Sequence, residues 1–190
     1  MLYVGLDPGK KGGLAWMDPD GQNVHCKPLP EHLPDFIKLL MNLAARHHVK
    51  RCALEIVHSR PGQGAKSLFT FGQRYGWAEA ALVAMGYQLE RVRPQDWQKP
   101  LGLITGKDLS RTQKKNKHKA RAQEMWPALI DEDEKPVTIT HATADALLIC
   151  EWWRRANFKE PEKMIPIHRG GKQTRAQINS RHKQIREGQK

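Results

Sequence analysis

Apolar positions change their spacing several times along the chain, and each change marks an element. Residues 2–7 (Leu-Tyr-Val-Gly-Leu-Asp) make a short apolar run ending in a carboxylate, and residues 13–17 (Gly-Leu-Ala-Trp-Met) make another. Runs this short, bounded by Gly and Pro, read as buried strands. Pro8, Gly9, Gly12 and Gly13 punctuate the turn between them, and Asp18-Pro19-Asp20-Gly21 makes the next, so residues 22–28 complete a three-stranded meander. Over 34–47 the spacing turns helical, with Phe36, Ile37, Leu39, Leu40, Leu43 and Ala44 on one side. The run at 51–57 predicts a fourth strand buried on both faces, as in a parallel central strand, interrupted by Glu55. A helix over about 66–85 stops at Gly86. A fifth strand spans 87–92 and ends before Pro94, residues 100–112 look irregular, and a basic helix covers 113–126 ahead of Pro127. The acidic stretch 131–134 reads as a solvated loop and residues 141–156 as a last helix. Three meander strands followed by alternating helices and strands predict an α/β fold, a five-stranded mixed sheet flanked by helices.

Composition sharpens this picture. A chain of 190 residues suits one domain, placed at 1–158, with a tail at 159–190. The tail holds nine Lys or Arg against three Glu and few large apolar residues, which reads as a mobile or weakly helical basic segment. Cys26, Cys52 and Cys150 lie far apart, so a zinc knuckle or a thioredoxin-like pair is excluded. They read as small buried hydrophobes in a reducing cytosol. No basic start leads into a long apolar run, and no stretch is apolar enough to span a bilayer. The expectation is a soluble cytoplasmic protein with no membrane partner and no organic cofactor. The net charge of +12 points to a polyanionic partner, of which nucleic acid is the commonest.

Three carboxylates stand where solvated charge is not normally found. Asp7 ends the first strand, Glu55 lies within the apolar fourth strand, and Asp145 sits in Ala144-Asp145-Ala146-Leu147-Leu148-Ile149 on the apolar face of the last helix. Singly, Asp7 also suits an Asx turn before Pro8, Glu55 a buried arginine partner, and Asp145 a helix cap or pair. Together they indicate a metal site, because buried carboxylates need a partner and clustered ones repel without a cation. Hard oxygen donors suit Mg²⁺ or Mn²⁺, and two such ions about 3.5–4 Å apart assist phosphodiester hydrolysis. His141 lies one helical turn before Asp145 and is a candidate ligand or water-activating base.

The stretch from Glu55 to Leu101 resembles the RuvC-type Holliday junction resolvases of phages and bacteria, whose fold is RNase H-like. The residues that carry the resemblance are Pro61-Gly62-Gln63-Gly64, Ser67-Leu68-Phe69-Thr70-Phe71-Gly72, Tyr75-Gly76 and Val92-Arg93-Pro94-Gln95-Asp96-Trp97-Gln98-Lys99. Leu6-Asp7-Pro8-Gly9 and His141-Ala142-Thr143-Ala144-Asp145-Ala146 match its two ends, so it covers about residues 1–156. The resemblance implies a homodimer that resolves four-way DNA junctions by paired nicks, with Asp7, Glu55 and Asp145 as catalytic acids. It also implies a phage or prophage setting. Bacterial members usually carry a fourth ligand three residues before the final Asp. Here that position is Ala142, and His141 stands one residue earlier on the same helix face.

Basic residues extend the expectation to DNA. The resemblance places a helpful catalytic lysine at Lys115, while Lys114, Lys117 and Lys119 on the same helix are candidate phosphate contacts. Arg60, Gln63, Gly64 and Lys66 surround the glycine-bearing loop after the fourth strand, where backbone can approach a phosphate closely. Phe69 and Phe71 are candidates for insertion at unpaired bases, although their helical spacing reads more as core or dimer contacts, and Trp97 and Trp126 read as core. The leading expectation is a metal-dependent crossover junction endonuclease leaving 5′-phosphate and 3′-hydroxyl ends. Its rivals are a broader nuclease that debranches forks and flaps, and a non-catalytic junction-binding protein.

Overall fold

A computed structural model describes residues 1–56, 64–104 and 109–158. The meander forms as its turns require: β1 (Leu2–Asp7), β2 (Gly13–Met17) and β3 (His25–Pro28) pair antiparallel in sequence. After α1 (Leu33–Arg46), β4 (Lys50–Glu55) joins the other side of β1 in parallel. After α2 (Ala65–Ala84), β5 (Gln88–Val92) adds in parallel to β4. The spatial order is β3-β2-β1-β4-β5, the mixed five-stranded sheet the pattern predicts. Then come α3 (Pro94–Gln98), α4 (Arg111–Met125) and α5 (His141–Asn157). No helix among the described residues is long and apolar enough to cross a membrane.

Local chemistry explains where the bounds differ from expectation. The third strand starts at His25 rather than 22, because Gly21 takes a positive φ of 75° and closes a turn onto Asp18 O. α4 starts at Arg111 because Ser110 caps it: its hydroxyl accepts from Gln113 N–H while the Gln113 side chain accepts from Ser110 N–H. α3 was not expected at all. Pro94, which stops β5, also sits in the first helical turn where its missing N–H costs nothing. The tail at 159–190 and the loop residues Arg60 and Gln63 lie outside the described residues.

The two-residue period of the strands sorts side chains onto two layers. Leu2, Val4 and Leu6 of β1 and Cys52 and Leu54 of β4 face one layer, where Phe36, Leu40 and Leu43 of α1 and Ala78, Ala81 and Leu82 of α2 cover them. Tyr3 of β1 and Ala53 of β4 face the other, covered by Ala144 and Ala146–Cys150 of α5 with Trp97 and Ala122. All three cysteines are buried, Trp97 is core, and Trp126 packs half-buried against it. Each fully buried Leu or Ile contributes about 1.5–3 kcal/mol, so α5, with Leu147, Leu148 and Ile149 wholly enclosed, is anchored firmly. Gly5 lets it lie this close: a Cβ there would stand 2.3 Å from Ala146 O and 2.4 Å from Cys150 N.

Candidate active site

Strand parity brings two of the acids together. Asp7 follows Tyr3 and Gly5 on the α5 side of β1, and Glu55 follows Ala53 on the same side of β4. Parallel register pairs Gly5 with Ala53 and Leu6 with Leu54, so both acids emerge at the same C-terminal end of neighbouring strands, where open α/β sheets place their ligands. The third acid arrives from above. Ala142 O would meet a Cβ on Gly13 at 2.3 Å, so two glycines, Gly5 and Gly13, seat the first half of α5 on the sheet and lower Asp145 toward Asp7. All three carboxylates are buried, at 7%, 9% and 7% exposure.

Their electrostatics record this proximity. Burial, and then the Asp145 charge, raise the Asp7 carboxyl against the opposing hydrogen bond from Gly9 N–H to Oδ1, 2.9 Å long. Glu55 is pushed up to about 8 by burial and by the charges of Asp7 and Asp145, although Trp97 Nε1–H donates to its Oε1 at 3.0 Å. Asp145 behaves oppositely. Burial, its largest influence, would raise it, but the His118 hydrogen bond and the Lys115 charge together hold it below the usual carboxylate range. Lys115 Nζ donates to Asp145 Oδ2 at 3.0 Å, and His118 Nδ1 lies 2.7 Å from Oδ1. An ionised carboxylate only accepts, so the Nδ1 of His118 carries the proton. In Lys115 the nearby Asp145 charge and hydrogen bond outweigh burial and raise the ammonium.

The donor set fits a hard divalent cation at Asp7 and Glu55. Each is a buried acid with a neutral N–H on one oxygen, and among the described residues neither forms an ion pair. Two enclosed carboxylates, with the charge of Asp7 raising Glu55, are relieved most directly by a cation between them. Asp145 has both oxygens engaged by α4. In this arrangement no three His, Cys, Asp or Glu side chains among the described residues already form a closed metal-holding group.

The other candidate residues fall into three groups. Lys115 reaches the acids. His141 is exposed and, through Nε2, donates to Asn116 Oδ1 at 2.8 Å, so its described hydrogen bond runs to α4 and to none of the three acids. Lys114, Lys117 and Lys119 are half-buried along α4, and Gly64 and Lys66 are exposed at the start of α2; none of these lysines forms an ion pair among the described residues. Phe69 is 74% exposed, so it is not part of the core that helical spacing allowed for it. Arg60 and Gln63 lie outside the described residues.

His118 and the role of Trp97 were missed. His118 sits among lysines in a strongly polar helix, where a solvated face is the natural assignment. A signal existed: Lys115, His118 and Ala122 fall at i, i+3 and i+7, one face of a helix that offers little else to bury.

No protein-family model matches the sequence, and no curated protein matches it. Among solved structures, the chain is similar to RuvC of T. thermophilus in complex with a Holliday junction substrate, at 13% identity and a TM-score of 0.53, covering 83% of this chain and 98% of that one. A second structure of Thermus thermophilus RuvC aligns over the same shares at 16% identity and a TM-score of 0.46. The mixed sheet β3-β2-β1-β4-β5, with acids at the ends of β1 and β4 and α5 across them, thus has the RNase H-like fold that RuvC also has.

Proposed function

We propose that the protein is a metal-dependent endonuclease that resolves four-way DNA junctions by paired nicks. The observation that carries this reading is the convergence of Asp7, Glu55 and Asp145 at one end of β1, β4 and α5, where burial and mutual repulsion make a cation site the simplest use of three acids. The structural likeness to a RuvC that binds a Holliday junction substrate, and the net charge of +12, select branched DNA as the substrate class.

Asp7, Glu55 and Asp145 would hold two Mg²⁺ or Mn²⁺ ions, which when bound supply charge neutralisation and water activation at the scissile phosphate. Lys115, already at Asp145, would neutralise charge developing on the phosphate. His141 orients water or phosphate through the ring nitrogen that Asn116 leaves open. The water gives up one proton as its oxygen bonds to phosphorus, the P–O3′ bond breaks, and O3′ takes up a proton in its place, leaving 5′-phosphate and 3′-hydroxyl ends. Lys114, Lys117 and Lys119 on α4, with Arg60, Gln63, Gly64 and Lys66 around the loop that follows β4, hold the backbone. Two copies of the chain present two such sites to opposite strands, with exposed Phe69 on α2 free for the junction or the partner copy.

End-labelled four-way, three-way and linear duplexes, incubated with Mg²⁺, Mn²⁺ or EDTA, test the proposal. Metal-dependent paired nicks confined to four-way junctions, abolished by Asp7→Asn, are expected. Equal cutting of three-way forks would make the protein a debranching nuclease. Tight junction binding without cleavage in either metal would overturn the enzymatic reading.

A further inference from the structure

Trp97 and His118 come from different helices, yet they meet. Their rings pack edge to face with centroids 5.3 Å apart at 70°. Each places one N–H on a different acid: Trp97 Nε1 on Glu55 Oε1 at 3.0 Å, and His118 Nδ1 on Asp145 Oδ1 at 2.7 Å. An unbroken chain therefore runs from Glu55 through the two rings to Asp145, and it spans two of the three acids that the nuclease reading uses. We propose that Trp97 and His118 form a positioning pair that sets the orientation and separation of the Glu55 and Asp145 carboxylates for cation binding.

The surrounding elements are arranged around these two rings. α3 has five residues, and Trp97 alone is buried among them. The rest of the helix is pinned at its start, where the Asp96 carboxylate accepts from Arg93 N–H and pairs with the Arg93 guanidinium at 2.8 Å. Such a short helix contributes little core, so its main consequence is a fixed indole. α4 buries only His118 and Ala122, so His118 is its principal point of entry into the interior. Lys115 takes the other oxygen of Asp145. The aromatic support differs from the lysine contact in kind: a flexible ammonium follows a moving carboxylate, whereas two packed rings do not. Carboxylates that bind metals are commonly held by such outer hydrogen bonds, and losing one typically weakens metal binding about 10–100-fold.

The pair rests on the nuclease reading, so the wild-type protein is measured beside every variant. Trp97→Phe keeps the ring and removes the N–H. His118→Gln moves the amide nitrogen away from the position of Nδ1, while His118→Asn keeps a donor near it. Mn²⁺ affinity by calorimetry is measured without DNA, and the Mg²⁺ dependence of junction cleavage separately, with folding checked by circular dichroism. Trp97→Phe and His118→Gln are expected to raise the Mn²⁺ Kd and the half-saturating Mg²⁺ concentration about 10–100-fold. Cleavage at saturating metal should stay within a few-fold of wild type, and His118→Asn should restore most of the affinity. Folded variants with wild-type Mn²⁺ affinity would overturn the positioning role and leave the pair as packing. If Trp97→Phe does not fold, the contrast between Gln and Asn at 118 decides alone. Wild-type protein that neither binds Mn²⁺ nor cleaves would instead sink the nuclease reading, a failure seen before any variant is compared.

Discussion

α4 and α5 lie side by side, and they are held in place by opposite chemistry. α5 buries nine consecutive residues, Thr143 to Glu151, and sits on the sheet through two glycines whose replacement would drive a Cβ into its backbone. α4 buries two residues, of which Ala122 joins the apolar layer, and its contacts with the site end of α5 are polar: Lys115 and His118 to Asp145, and Asn116 to His141. The acids at β1, β4 and α5 are therefore part of the core, and their positions are as fixed as the core. The basic side is docked onto them, and its geometry depends on the charge it meets. The contact of α4 with the acids therefore answers to charge, whereas α5 is held by Leu147, Leu148 and Ile149 and does not.

The acid side should respond most strongly to substitution. Asp145→Asn should lower junction cleavage by on the order of 10³-fold or more, as removal of central catalytic groups does, while gel-shift affinity for junctions stays close to wild type. Loss of binding in parallel with cleavage would show that the acid organises α4 for DNA and erase the distinction between the two helices.

Next comes the response to pH without metal. Glu55 is raised from its ordinary value to about 8 in the folded chain, so between roughly pH 4.5 and 8 the folded state carries a proton that the unfolded state has lost. Stability from this group is complete below the unfolded value and is lost as pH rises through the folded one. Thermal melts in EDTA should show wild type losing stability toward pH 8 relative to Glu55→Gln, and Mg²⁺ should restore it. Parallel melting curves for the two proteins across this range would refute a strained acid pair.

Gly5→Ala probes how the core positions the site. Its Cβ would meet two backbone atoms inside 2.5 Å, which should cost about 3 kcal/mol, the upper end for over-packing, and lower Tm by roughly 6–12 °C. Cleavage should fall more than stability explains, because α5 carries Asp145. The mildest change belongs to the docked side: Lys114→Ala, Lys117→Ala and Lys119→Ala together should leave the cleavage rate of bound junction intact. They should flatten the salt dependence of binding by about one unit of log–log slope for each phosphate no longer neutralised. An unchanged slope would place the DNA elsewhere than along α4.

Parity explains what was legible. A carboxylate inside an apolar run, such as Glu55 in Cys52-Ala53-Leu54-Glu55, stands out because burial without a partner is costly, and the same holds for Asp7 and Asp145. Once strands one and four are placed side by side, their facing follows from the period of two. His118 gave no comparable warning, because a histidine among lysines is what a solvated helix also looks like. α3 was hidden in the same way: Pro94 is a strand stop and a helix start, and only Asp96 reaching back to Arg93 N–H decides between them.

The order of elements, the mixed sheet, the three acids and the basic character of the chain could all be read from the residues in line, because each rests on a local period or on the cost of burying charge. Which residues meet could not. That Lys115 and His118 divide the two oxygens of Asp145, that Trp97 turns its N–H to Glu55, and that His141 bonds Asn116 depend on how α3 and α4 dock. Such docking is set by side chains distant in sequence, whose pairing leaves no period in the chain to read.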